Sequence, residues 1–211
     1  SVSWSPDGNQ FVSGGADDVV IIWDAVEGEE VDVLRGHDDW VNTVEWSPNG
    51  KWIASGSDDG TIIIWDVETG KKEMELDDHD GWITSVAWSP NSKLLASGSD
   101  DYSVKIWDIE TGKDIETLRG HDDEVYTVDW SPDGKFVVSG GYDGTVRIWE
   151  VKTGKEISDY VLPDYESVYS IAWSPDGSKI AVGSYLMDVL VLDAESLEIL
   201  DEFRGHDATV Y

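Results

Sequence analysis

Residues 41–66 read VNTVEWSPNGKWIASGSDDGTIIIWD. Val41 to Trp46 is a short strand whose apolar residues Val41, Val44 and Trp46 are spaced three and then two. A bulge near Asn42-Thr43 restores the inward face. Ser47-Pro48-Asn49-Gly50 is a turn, because proline pre-sets φ and Asn-Gly tolerates positive φ. Trp52 to Ser57 makes a second strand, and Asp58-Asp59-Gly60 turns the chain again. Thr61 to Trp65 is nearly all apolar and β-branched, as expected of a strand covered on both faces. Glu68-Thr69-Gly70-Lys71 then leads into a fourth strand, Lys72 to Leu76.

This unit recurs. Trp-Ser-Pro begins at Trp4, Trp46, Trp88, Trp130 and Trp173, at intervals of 42, 42, 42 and 43 residues. Trp-Asp or a variant follows each time: Trp23-Asp24, Trp65-Asp66, Trp107-Asp108, Trp149-Glu150 and the degenerate Leu192-Asp193. Gly-His marks the connections at Gly36-His37, Gly120-His121 and Gly205-His206, with Asp78-His79 as a variant. One such unit cannot bury both faces alone, so neighbours must stack. Repeated four-stranded units predict an all-β propeller of five antiparallel blades.

Three motifs in register over the whole chain make it similar to the WD-repeat (Trp-Asp repeat) β-propeller family. The tail Gly205–Tyr211 followed by Ser1–Pro6 lines up with Gly120–Pro132, and the periods account for all 211 residues. A single domain over 1–211 is therefore expected, its ring closed by pairing of the terminal segments in the innermost strand. The alternative is a window from a longer array, since seven is the family's commonest blade number.

The chain carries 45 Asp and Glu against 14 Lys and Arg, a net charge of -31. That field opposes nucleic acid and anionic membranes. Acids scattered through every repeat suit a halophilic surface; a basic partner is the other reading. There is no cysteine, so disulfides and thiol chemistry are excluded. No apolar run approaches the roughly 20 residues of a membrane helix. A soluble chain is expected; its compartment is left open, with the cytoplasm ahead.

All four histidines fall where the resemblance implies a buried tetrad of His, Ser, Asp and Trp. The sets are His37 with Ser55, Asp59 and Trp65; His79 with Ser97, Asp101 and Trp107; His121 with Ser139, Asp143 and Trp149. His206 with Ser13, Asp17 and Trp23 forms a fourth only if the ring closes. Ser-His-Asp resembles a hydrolase triad, but four copies argue for structure. The fifth repeat departs, with Leu186 in place of Asp, Val182 of Ser, Leu192 of Trp, and Pro163-Asp164 of Gly-His. The Asp-Asp pairs at 17-18, 58-59 and 100-101 lack the alternating oxygens of a calcium loop. No metal, no cofactor and no catalytic residue is expected.

The resemblance implies that partners bind the top face, where three positions per blade point. Three residues after His stand Trp40, Trp82, Glu124 and Thr209, with Ser167 in blade five. Five after His stand Asn42, Thr84, Tyr126 and Tyr211, with Tyr169 in blade five. Just before the tetrad Asp stand Ala16, Asp58, Asp100 and Tyr142, with Tyr185 in blade five. Aromatics beside carboxylates suit Lys or Arg of a protein or peptide. The candidate partner-binding set is Trp40, Asn42, Asp58, Trp82, Asp100, Glu124, Tyr126, Tyr142, Tyr169, Tyr185 and Tyr211. The expected function is a protein-interaction scaffold, not an enzyme. A self-assembling repeat module is the alternative, and a five-bladed glycoside hydrolase, without any of its motifs here, a weak third.

Overall fold

Each repeat folds as one four-stranded antiparallel sheet whose strands pair in chain order. The computed structural model describes residues 1–185, 188–206 and 208–210, without the side chain of Asp188. Blade one is β1 (Val2–Trp4), β2 (Gln10–Gly14), β3 (Val19–Asp24) and β4 (Glu30–Arg35). Blade two is β5 (Val41–Trp46), β6 (Trp52–Ser57), β7 (Ile62–Asp66) and β8 (Lys71–Leu76). Blade three is β9 (Ile83–Trp88), β10 (Leu94–Ser99), β11 (Ser103–Asp108) and β12 (Lys113–Arg119). Blade four is β13 (Val125–Trp130), β14 (Phe136–Gly141), β15 (Thr145–Glu150) and β16 (Lys155–Val161). Blade five is β17 (Val168–Trp173), β18 (Lys179–Ser184), β19 (Asp188–Asp193) and β20 (Ile199–Arg204). This is the five-bladed, all-β propeller architecture that the period predicts.

The recurring Trp-Ser-Pro has a local cause. In every repeat the serine hydroxyl accepts the backbone N–H five residues on, as Ser47 does from Trp52 at 2.9 Å and Ser131 from Phe136 at 3.0 Å. The next Asp or Asn in turn accepts from that hydroxyl, Asp133 from Ser131 at 2.8 Å. Gly50 completes the turn at φ 74°, where a side chain would be strained.

Side-chain alternation places the cores between blades, not within them. Ile63 joins Val12, Val20 and Leu34 of blade one. Ile62 and Ile64 point the other way, against Ile83, Val86 and Trp88 of blade three. That is why β7 has no polar face. Ala96, Ile106 and Leu118 likewise meet Val125, Val128 and Trp130 of blade four. Val138, Val146 and Ile148 meet Val168, Ile171 and Ile180 of blade five. Blades approach closely at the innermost strands: a Cβ on Gly98 would lie 2.8 Å from Val125.

Among the described residues β1 pairs with β2 alone, and ring closure is not shown. Val2 is 73 % exposed and Trp4 63 %, whereas Trp46, Trp88 and Trp130 are buried. The tail packs on blade five as an entering first strand packs on the blade before it: the Val210 N–H donates to Ser184 O at 3.3 Å as Val41 does to Gly15 O at 3.0 Å, and Val210 packs opposite Gly183 as Val41 packs opposite Gly14. Tyr211, the other half of the expected closing strand, lies outside the described residues.

Candidate functional site

Three of the four expected tetrads are assembled. In blade three, His79 Nδ1 lies 2.7 Å from Asp101 Oδ2, and His79 Nε2 lies 2.7 Å from Ser97 Oγ. Trp107 Nε1–H donates to that same Ser97 oxygen at 2.8 Å. One order of donation satisfies every group: indole N–H to serine oxygen, serine O–H to Nε2, Nδ1–H to carboxylate. His37 holds Asp59 at 2.9 Å and Ser55 at 2.7 Å, with Trp65 on Ser55 at 2.8 Å. His121 holds Asp143 at 3.0 Å and Ser139 at 2.8 Å, with Trp149 on Ser139 at 2.8 Å.

The acids respond. Burial opposes ionisation of Asp101 and Asp143, but hydrogen bonds from their histidines and neighbours win and hold both well below the usual range. Ser55, Ser97 and Ser139 are fully buried, so no substrate reaches a serine of these sets. Asp78, the departure from Gly-His, reaches Lys105 Nζ at 3.2 Å, so the variant is matched by a nearby cation.

The fourth set is only half formed. Trp23 Nε1–H donates to Ser13 Oγ at 2.8 Å, but His206 and Asp17 are exposed. Among the described residues no hydrogen bond joins His206 to Ser13 or Asp17. Blade five has exchanged the network for packing: Val182 and Leu192 are fully buried with Leu162 and Leu197. Leu186 lies outside the described residues.

The three top positions are brought together by one repeated backbone hydrogen bond. Asp58 N–H donates to Trp40 O, Asp100 to Trp82 O, Tyr142 to Glu124 O and Tyr185 to Ser167 O, at 2.8 to 3.1 Å. The remaining position is the bulge. The ladder passes from Val41 to Thr43, from Ile83 to Ser85, from Val125 to Thr127 and from Val168 to Ser170. Asn42, Thr84, Tyr126 and Tyr169 are therefore the extra residues, turned out of the pairing. The bulge expected near Asn42-Thr43 is present.

Bulging brings aromatic rings of blades four and five together. Tyr126 and Tyr169 stack at 5.0 Å with planes 10° apart. Tyr142 meets Tyr126 edge-on at 5.9 Å, and Tyr185 lies 6.4 Å from Tyr169. Burial and the hydrogen bond to Glu124, 2.8 Å from its hydroxyl, push the Tyr126 phenol up.

On blades two to four stand the acids. Asn42 Nδ2 donates to Asp58 at 2.5 Å and to Ile83 O of the next blade at 3.1 Å. Burial, then the charges of Glu124 and Asp58, push Asp100 up to about 6. Trp40 and Trp82 are 56 % and 55 % exposed beside them. Two exposed rings escape the three-position reading. Tyr102 follows Asp101 in the same turn, and Tyr165 lies against Gly144 from a single 3-10 turn, Pro163–Tyr165. The first was legible from its place beside a tetrad Asp; the second sits where the period breaks. Tyr211 lies outside the described residues.

Comparison with known families gives matches along the chain. Residues 1–140 match the family described as echinoderm microtubule-associated protein second beta-propeller. Residues 116–165 match the anaphase-promoting complex subunit 4 WD40 domain, and 158–191 match the WD domain, G-beta repeat. An uncharacterized WD repeat-containing protein of Nostoc sp. is 40 % identical over 43 residues, 20 % of this chain and 3 % of that protein. A probable serine/threonine-protein kinase, PkwA, of Thermomonospora curvata is 42 % identical over 41 residues, 19 % of this chain and 6 % of that protein. The aligned stretch is thus a small part of each of these relatives.

Proposed function

Because the chain belongs to the WD-repeat β-propeller family, we propose that it is an interaction scaffold whose top face holds a basic segment of a partner protein. Propellers of this family generally bind proteins or peptides and are typically not enzymes. The observation that carries the reading is the juxtaposition of Asp58, Asp100 and Glu124 with exposed Trp40 and Trp82. A Lys or Arg seated there pairs with carboxylates that now repel one another and lies over an indole face. The half-buried Asp100 is the most sensitive member, because burial first and its acidic neighbours second hold back its ionised form.

The test is a titration of a labelled arginine-rich peptide, read by fluorescence anisotropy. The double change Trp40→Ala with Trp82→Ala, and separately Asp58→Asn with Asp100→Asn, is expected to weaken binding at least about fivefold. Affinity should also rise as pH increases through about 6, where Asp100 ionises, and Asp100→Asn should flatten that rise. Unchanged affinity together with lowered thermal stability in the tryptophan variant would sink the reading.

Self-assembly has one observation in its favour: Val2 and Trp4 leave an uncovered apolar face on blade one. Molar mass from light scattering tests it. A defined oligomer that Trp4→Ser converts to monomer supports assembly.

A further inference from the structure

At each blade junction, the turn between the third and fourth strands sends one side chain into the preceding blade. Ile109 and Val151 are buried there, and Val67 packs there against the first interblade core. In blade five that place belongs to Ala194. On the neighbouring turn, Ser178 stands where blade three has Lys93. The effect is visible in volume. The junction of blades two and three, with Ile109 and Lys93, leaves a cavity of about 220 Å³. The same place between blades four and five opens to about 540 Å³.

The enlarged groove lies at the end of the strands opposite the top face. Phe136, Ile148 and Trp173 line it, and Ile157 overhangs it. Ile157 is the residue that the β15–β16 ladder skips, which turns it outward to 52 % exposure. Trp173 is only half-buried. Trp88 and Trp130 donate their indole N–H across the junction to Glu45 O and Ala87 O, but Trp173 donates within its own turn to Gly177 O.

The rim is acidic: Asp133, Asp176, Asp193 and Glu195 surround the apolar floor. Lys135 pairs with Asp133 at 2.7 Å, and Lys179 lies near enough to Asp176 to favour its charge, but neither lines the groove. Asp133, Asp176 and Asp193 are all held below the usual carboxylate range by hydrogen bonds, so they stay ionised at neutral pH.

We propose that the groove between blades four and five is a second docking site, which seats an apolar side chain of a partner polypeptide flanked by lysine or arginine. The floor demands the apolar group, and carboxylates around it demand cations on either side of that group. A polypeptide offers both at adjacent residues. This site shares no residue with the top face, so the two readings stand or fall separately.

The probe is acetyl-Lys-Phe-Lys-amide, titrated calorimetrically against the whole chain, with acetyl-Lys-Gly-Lys-amide and acetyl-Glu-Phe-Glu-amide as controls. Saturable binding of the first, with both controls at least about tenfold weaker, is expected. Ala194→Ile installs the side chain that blade three carries and should weaken binding about tenfold without lowering the melting temperature. Ser178→Lys, which restores blade three's other residue, should do the same. Trp40→Ala with Trp82→Ala should leave this binding unchanged. Equal binding of the glycine peptide would reduce the groove to diffuse charge. No saturable binding of the phenylalanine peptide, or binding that survives both groove variants, would overturn the proposal.

Discussion

Ser97 shows how much one hydroxyl holds. It accepts from Trp107 and meets His79, and through His79 it is joined to Asp101. Ser97→Ala strands two buried groups, at about 1–3 kcal/mol each. Ser13→Ala removes a partner from Trp23, with no histidine bonded to this serine among the described residues, so it should cost clearly less in urea denaturation. Glu45 offers a test by pH. Burial pushes its carboxyl up to about 8 while it accepts the Trp88 N–H at 2.6 Å. A raised pKa means the folded state holds the proton more tightly than the unfolded chain. Stability from this group is therefore complete below about 4.5 and declines as pH rises towards 8. Glu45→Gln should flatten that decline in urea titrations across the range. The tetrad residues could be picked out in the sequence because each recurs at a fixed distance from Trp-Ser-Pro. Glu45 could not: Ser3, Ala87, Asp129 and Ala172 share its place, and nothing in that variety marks one as a buried carboxyl that keeps its proton.

At the scale of the strand and turn, the period made the architecture readable. Pro48, Asn49 and Gly50 announce a turn, and the broken spacing of Val41, Val44 and Trp46 announces a bulge, which the ladder contains. Close approach between blades was only half readable: Gly14, Gly56, Gly98, Gly140 and Gly183 recur ten residues after each Trp-Ser-Pro tryptophan, but what faces them across the junction is not in the sequence. Gly98→Ala should overpack Val125 and cost about 1–3 kcal/mol in chemical denaturation. Gly8→Ala is no match for it in space, having nothing within 4 Å. The same limit hid the stacking of Tyr126 on Tyr169 and the groove beneath Ala194. Both depend on distances between repeats, and a list of positions within a repeat contains no such distance.

For the whole molecule, charge outweighs any single contact. With 45 acids and 14 Lys and Arg, 31 carboxyls have no basic side chain to pair with. Their mutual repulsion favours the expanded chain, and salt screens it, with a Debye length falling from about 10 Å at 0.1 M to about 3 Å at 1 M. The melting temperature should rise by several degrees between 0.1 M and 2 M KCl in scanning calorimetry. A salt-independent melt would argue against a halophilic surface and leave the acidity to its partners.

The missing network of blade five has a further consequence. In blades two to four, each histidine comes from the connection that enters the blade, so every tetrad also pins a linker to the sheet it precedes. Blade five, joined through Pro163–Tyr165, has no such set; its linker is tied to its sheet by the Ser184 hydroxyl donating to Glu166 at 3.2 Å and the Tyr185 N–H donating to Ser167 O at 3.1 Å. In a stack where each member contacts only its neighbours, local opening begins at the least restrained one. Amide protons of β17 to β20 should therefore exchange with solvent ahead of those in the middle blades, an order that hydrogen-exchange mass spectrometry would read and that would make this leaf the place where the molecule first loosens.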